Sequence, residues 1–146
     1  MHKAILSEMV KQNEVTSHFS LDRVTQENSR LRLNDQTASI GFIYRHIGET
    51  MNLFGQFLGV PTDVKNTTIG RVDAGEDYEV GYSRELIERG YRMLEALVES
   101  SSDEEWLNLV ETPFFGSIPR IRLFSHVLFH TSHHAGQISM TLAKGV

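Results

Sequence analysis

Four histidines fall close together in the last part of the chain, at His126, His130, His133 and His134. Three of them, His126, His130 and His134, step by four residues through a stretch whose apolar residues recur at helical spacing. A helix stacks residues i and i+4 on one face. Two imidazoles so placed can hold one transition-metal ion if a third ligand arrives from elsewhere, and zinc, nickel and ferrous iron all accept imidazole nitrogen. His133 lies about 100° round the helix from His134 and is less suited to the same ion. Any one of these rings could be an ordinary surface histidine or a core group bonded to a carboxylate or carbonyl. Several neutral imidazoles crowded on one face, however, lose solvation and each needs a partner, which a single ion would provide.

A third ligand is most readily supplied by His46, on the flank of an apolar stripe that includes Ile43 and Leu53. His2, near the start of the chain, and His18, at the edge of a polar stretch, are weaker candidates. Three imidazoles on one side of an ion leave a position open for water or substrate, which suits catalysis or ligand capture. Glu49 follows His46 by one helical step and is placed either to accept a hydrogen bond from a ligating ring or to face solvent. His126 either lines the pocket as an acid or base, its ordinary pKa suiting exchange near neutrality, or is packed and inert. Gln137 either orients a ligand across the bundle or faces solvent, and Gly136 would let another helix approach closely.

Helices must position these groups. Residues 2–19 carry a first apolar stripe (Ile5, Leu6, Met9, Val10), and the polar stretch 22–37 has no strong pattern. A second helix is expected from about 37 to 58, through Ile40, Ile43, Ile47, Met51, Phe54 and Leu58, ended by Gly59 and Pro61. Residues 59–81, rich in glycine and polar side chains, read as a long loop or crossover. Ser83 reads as the cap for a third helix through Leu86, Ile87, Met93, Leu94, Leu97 and Val98, and Ser102 with Glu105 reads as a capping box. The final helix should run from about 118 to 143, capped by Ser117 with Pro119 in its first turn. No strand alternation stands out. The expectation is a single all-α domain over residues 1–146, a four-helix bundle.

Composition narrows the function. The chain of 146 residues carries a formal charge of −5 and has no basic stripe of the kind nucleic-acid binding needs. It has no cysteine, which removes disulfides, thiol nucleophiles and cysteine-held metals. No signal peptide or membrane span is expected, and a cytoplasmic protein acting on a small molecule is the default.

The run from His130 through His133-His134-Ala135-Gly136-Gln137 to Ile138 resembles the H-x-x-x-H-R-G-Q signature of the DinB/YfiT-like superfamily of metal-binding four-helix bundles. The segment from Ile40 through His46, Gly48 and Glu49 to Thr50 is similar to that family's second-helix motif. The resemblance implies an up-down four-helix bundle with a long crossover connection between helices 2 and 3. It implies a divalent zinc, nickel or iron ion on His46, His130 and His134, and a homodimer, to which the apolar breadth of the second helix and Trp106, Phe114 and Phe115 would contribute. It also implies, as one activity among relatives, transfer or addition of a low-molecular-weight thiol to small electrophiles, with isomerases elsewhere in the family. Ala135 stands where the signature has arginine; Arg45, Arg120 and Arg122 are the candidates to replace it. Three readings follow: a metal-dependent thiol transferase or related isomerase or hydrolase, a metal-bearing ligand binder or sensor without turnover, and a structural helical dimer without metal.

Overall fold

A computed structural model describes residues 1–146. Four long helices, α1 (His2–Leu21), α2 (Ile40–Phe57), α3 (Val80–Ser100) and α4 (Arg120–Lys144), make the bundle. A short two-stranded sheet, β1 (Leu109–Thr112) and β2 (Gly116–Pro119), precedes α4.

The central element is α2, buried along nearly its whole length between α3 and α4. Ser39 starts it by accepting the Phe42 N–H, and the Ser39 N–H is taken in turn by the Asp73 carboxylate. Its end follows the Gly59 expectation. Gly59 adopts φ +92°, the Val60 N–H bonds the Gly55 carbonyl, and the Gly59 N–H bonds that of Gln56. That pair of bonds is a Schellman termination, which requires a left-handed residue just past the helix.

Neighbouring residues give the helix directions. Arg45 meets Ser83, Gly48 meets Leu86, and Gly90 meets Met51, so α2 and α3 run parallel. Two parallel neighbours cannot be joined by a tight turn. The chain must return along α2, whose 18 residues are roughly 27 Å long, and that takes at least about eight extended residues. The connection over 58–79 is this crossover. Against α2, α4 runs antiparallel, with His46 opposite His130 and Phe54 opposite His126. Lys3 bonds the Glu99 carbonyl and Asn13 meets Tyr91, so α1 runs antiparallel to α3, and the order of directions is up, down, down, up.

The α2–α3 seam is close because glycines line it. A Cβ on Gly48 would stand 2.6 Å from the Leu86 Cβ, and one on Gly90 would stand 2.6 Å from the Met51 Cβ. Close approach was expected instead at Gly136. That residue is exposed, with no neighbour within 4 Å of a would-be Cβ, because it faces outward on α4.

Other local expectations are corrected. Ser83 does not cap α3: Glu79 does, its carboxylate accepting the Gly81 and Tyr82 N–H groups, while Ser83 lies a turn inside and donates to the Glu79 carbonyl. Ser117 does not cap α4; it lies in β2, paired with Glu111, and α4 begins after Pro119. The hairpin was missed because four-residue strands that each bury a single side chain offer too little alternation to read. The Ser102–Glu105 box forms as expected, with reciprocal bonds to the two backbone N–H groups. Trp106 is buried against the Phe124 ring, so it is not available to a partner.

Candidate metal centre

Antiparallel packing of α2 on α4 sets His46 against the His130/His134 face. The Nε2 atoms converge. His130 Nε2 lies 3.0 Å from His46 Nε2 and 3.1 Å from His134 Nε2. All three rings are half-buried.

Hydrogen bonds behind the rings decide which nitrogens carry protons. Thr68, in the crossover, gives its single hydroxyl proton to Glu49 Oε2 at 2.7 Å, so toward His46 Nδ1, at 3.2 Å, it can only accept. His46 is therefore protonated at Nδ1 and presents a bare Nε2 lone pair to the cluster. His134 Nδ1 lies 2.6 Å from Gln137 Oε1, an acceptor, while the same amide donates to His133 Nε2 at 3.2 Å. His134 thus also presents a bare Nε2. His130 Nδ1 is buried without a partner, so this ring is held by packing among its neighbours.

Two lone pairs aimed at a third imidazole nitrogen are poorly served by one shared proton and well served by a cation. Three nitrogens bonded to one ion at roughly 2.0–2.1 Å, with angles of about 90° to 110°, stand roughly 2.9–3.4 Å apart. The two separations from His130 fit that range, and the three ligand atoms all lie within 4.8 Å of one another. Electrostatics favours the same state. Burial first, then the neighbouring His134 ring, pushes His46 down to about 4. Burial and the surrounding imidazoles push His130 down to about 2. His134 is also lowered, chiefly by burial. All three are neutral near pH 7, as ligation requires. The donor set fits a divalent ion of the zinc, nickel or iron class.

The remaining site residues fall into three groups. Gln137 is exposed yet bonded to His134. Glu49 is buried and reaches His46 only through Thr68, so it neither bonds the ring directly nor faces solvent, the two placements considered for it. His126 stacks on Phe54 with centroids 5.5 Å apart, meets Phe115 edge-on at 4.8 Å, and stands 5.8 Å from His130. It lines an open cavity of about 310 Å³ with Phe115, Ile118, Arg122, Ser125 and Phe129.

Of the three arginines considered in place of the missing one, only Arg122 faces this cavity. Arg45 is buried at the start of α3, donating to Ser83 and the Glu79 carbonyl between the Tyr78 and Tyr82 rings. Arg120 lies over Trp106 and bonds Ser101. Ala135 itself is buried. His2 and His18 lie on α1, paired with Asp103 and Asp22. Sequence reasoning missed Thr67 and Thr68. They lie in a loop without periodicity, 18 and 22 residues from Glu49 and His46, the side chains they serve, so no spacing signal could link them to His46.

A family model described as the DinB superfamily matches residues 11–138. Among solved structures, the chain is similar to YfiT from Bacillus subtilis, described as a probable metal-dependent hydrolase with an unusual four-helix bundle topology. The TM-score is 0.71 at 12% identity, covering 95% of this chain and 85% of that one. A DinB-like protein from Bacillus cereus superposes with TM-score 0.66 at 20% identity, covering 92% and 87%. A conserved protein from Enterococcus faecalis gives 0.68 at 10%, covering 94% and 93%. At these identities the likeness shows the fold. No curated protein matches the chain.

Proposed function

The chain belongs to the DinB superfamily, and from that membership and its converging histidines we propose that it is a divalent-metal-dependent enzyme adding or transferring a low-molecular-weight thiol to a small electrophile. The observation that carries the metal is the convergence of three Nε2 atoms, two with lone pairs set by their hydrogen bonds. His46, His130 and His134 would hold the ion, whose chemistry when bound is to lower the pKa of a thiol or water beside it.

The rest of the reading concerns this chain's own groups. Burial lowers the pKa of His126, so its ring is neutral near pH 7 and able to take a proton from an incoming thiol. Its place beside His130 and on the wall of the open cavity supports that role. Phe115, Ile118 and Phe129 provide apolar walls, and Arg122 a cation for an anionic group of the thiol or its acceptor. The likeness to a protein described as a probable metal-dependent hydrolase supports metal dependence in general, and hydrolysis is the neighbouring activity to screen. A homodimer belongs to the same proposal, supported by the exposed rings of Phe114, Phe115 and Phe129; light scattering reads it.

Elemental analysis of untagged protein tests the proposal first. About one zinc, nickel or iron per chain is expected, lost in His130→Ala. A screen of electrophiles with and without added thiols, run beside ester and amide substrates, comes second. Metal without turnover leaves a ligand binder or sensor. No metal, even after incubation with zinc and nickel, overturns the proposal and leaves a structural helical protein.

A further inference from the structure

Glu49 is 1% exposed, and no lysine, arginine or histidine forms an ion pair with it. Its partners all come from the crossover. Oε2 accepts the Thr67 N–H at 2.9 Å, the Thr68 N–H at 3.0 Å and the Thr68 hydroxyl at 2.7 Å, and Oε1 accepts the Thr67 hydroxyl. Four donors satisfy its lone pairs, but none carries a charge, and a buried carboxylate without a counter-charge is costly. Its one hydrogen-bonded path to another titratable group runs through Thr68 to His46.

On the reading of the histidine cluster as a metal site, we infer that Glu49 supplies the buried counter-charge for the cation and that Thr68 is the positioning residue that transmits it by fixing His46 as the Nδ1–H tautomer. The hydroxyl proton of Thr68 is committed to Glu49, so its oxygen faces His46 as an acceptor and the ring turns a bare Nε2 inward. Glu49 strengthens that acceptor, and through it the basicity of the ligating nitrogen. The crossover is thereby part of the site. Asn66 holds its tip, accepting the Thr68 and Ile69 N–H groups and donating to the Ile69 carbonyl.

A purely structural role, Glu49 merely pinning the loop, makes a different forecast, and two neighbouring threonines separate the two. Each gives Glu49 one hydroxyl bond, but only Thr68 touches His46. Zinc and nickel affinity, measured by competition with a chromophoric chelator, should fall about 10- to 100-fold in Thr68→Val. It should recover in Thr68→Ser and stay within about threefold of wild type in Thr67→Val, the contrast again resting on the outer-shell effect. Imidazole ¹⁵N shifts of the metal-free protein give a second readout: His46 is Nδ1-protonated in wild type and Thr67→Val, and shifts toward the other tautomer in Thr68→Val. Equal losses of affinity in the two valine variants would overturn the inference, as would a wild-type His46 protonated at Nε2. The wild-type spectrum keeps the test decisive if Thr68→Val does not fold. If wild type binds neither metal, the proposed function fails while the tautomer still judges Thr68.

Discussion

An imidazole ligates metal only while neutral, and the three rings here are kept neutral by being half-buried among one another. That arrangement has a cost in acid. In the unfolded chain His46 and His130 take up protons near their ordinary value of 6.5, whereas in the folded protein His46 waits until about 4 and His130 until about 2. Below 6.5 the unfolded state binds more protons, so stability is complete above that pH and falls as pH is lowered through the window toward 4. The metal-free protein should lose on the order of a few kcal/mol of unfolding free energy between about pH 7 and about pH 4.5. Urea titrations across that range check it, and His130→Phe should flatten the slope. A flat profile in the wild-type protein would show that the rings are not desolvated as described. At this scale His130 and His134 were legible because i, i+4 spacing survives in one dimension, and His46 because it flanks the apolar stripe of its helix. Thr68 was not, because its relation to His46 exists only across space.

At the scale of elements, the seam between α2 and α3 depends on two missing side chains. Gly48→Ala or Gly90→Ala would drive a Cβ to 2.6 Å from Leu86 or Met51, and neither neighbouring Cβ can yield without moving its helix. Each should destabilise by about 1–3 kcal/mol, the usual effect of overpacking. Gly136→Ala should do the reverse. It meets nothing and replaces a flexible residue in an exposed helix interior, so a gain of about 0.5–1 kcal/mol is expected. Denaturant midpoints of the three variants form one experiment, and a stabilised Gly48→Ala would contradict the packing described. The helices themselves were readable from apolar periodicity and, for α2, from Gly59 as its stop. Which glycine serves close packing was not, since Gly48, Gly90 and Gly136 look alike until the facing helix is known.

Across the whole molecule, the histidine cluster ties together α2 and α4, elements far apart in the chain. A ligand that binds only the folded state stabilises it by about 2.7 kcal/mol at a free concentration of roughly 100 times Kd. For a chain of this size that corresponds to a rise in Tm of about 10 °C. Calorimetry with and without zinc or nickel should show it, and His130→Ala should abolish it; an unchanged Tm in wild-type protein would count against a shared ion. The sequence alone determined the four helices, the long connection between α2 and α3 and the histidine candidates, because helical periodicity, glycine stops and ligand spacing are local properties of a chain. Only the tertiary structure decided that α2 and α3 run parallel, that the crossover places Thr68 behind His46, that Arg122 rather than Arg45 or Arg120 faces the cavity, and that Gly136 faces open space. Those facts depend on which face of one helix meets which face of another, and distance along the chain carries no record of it.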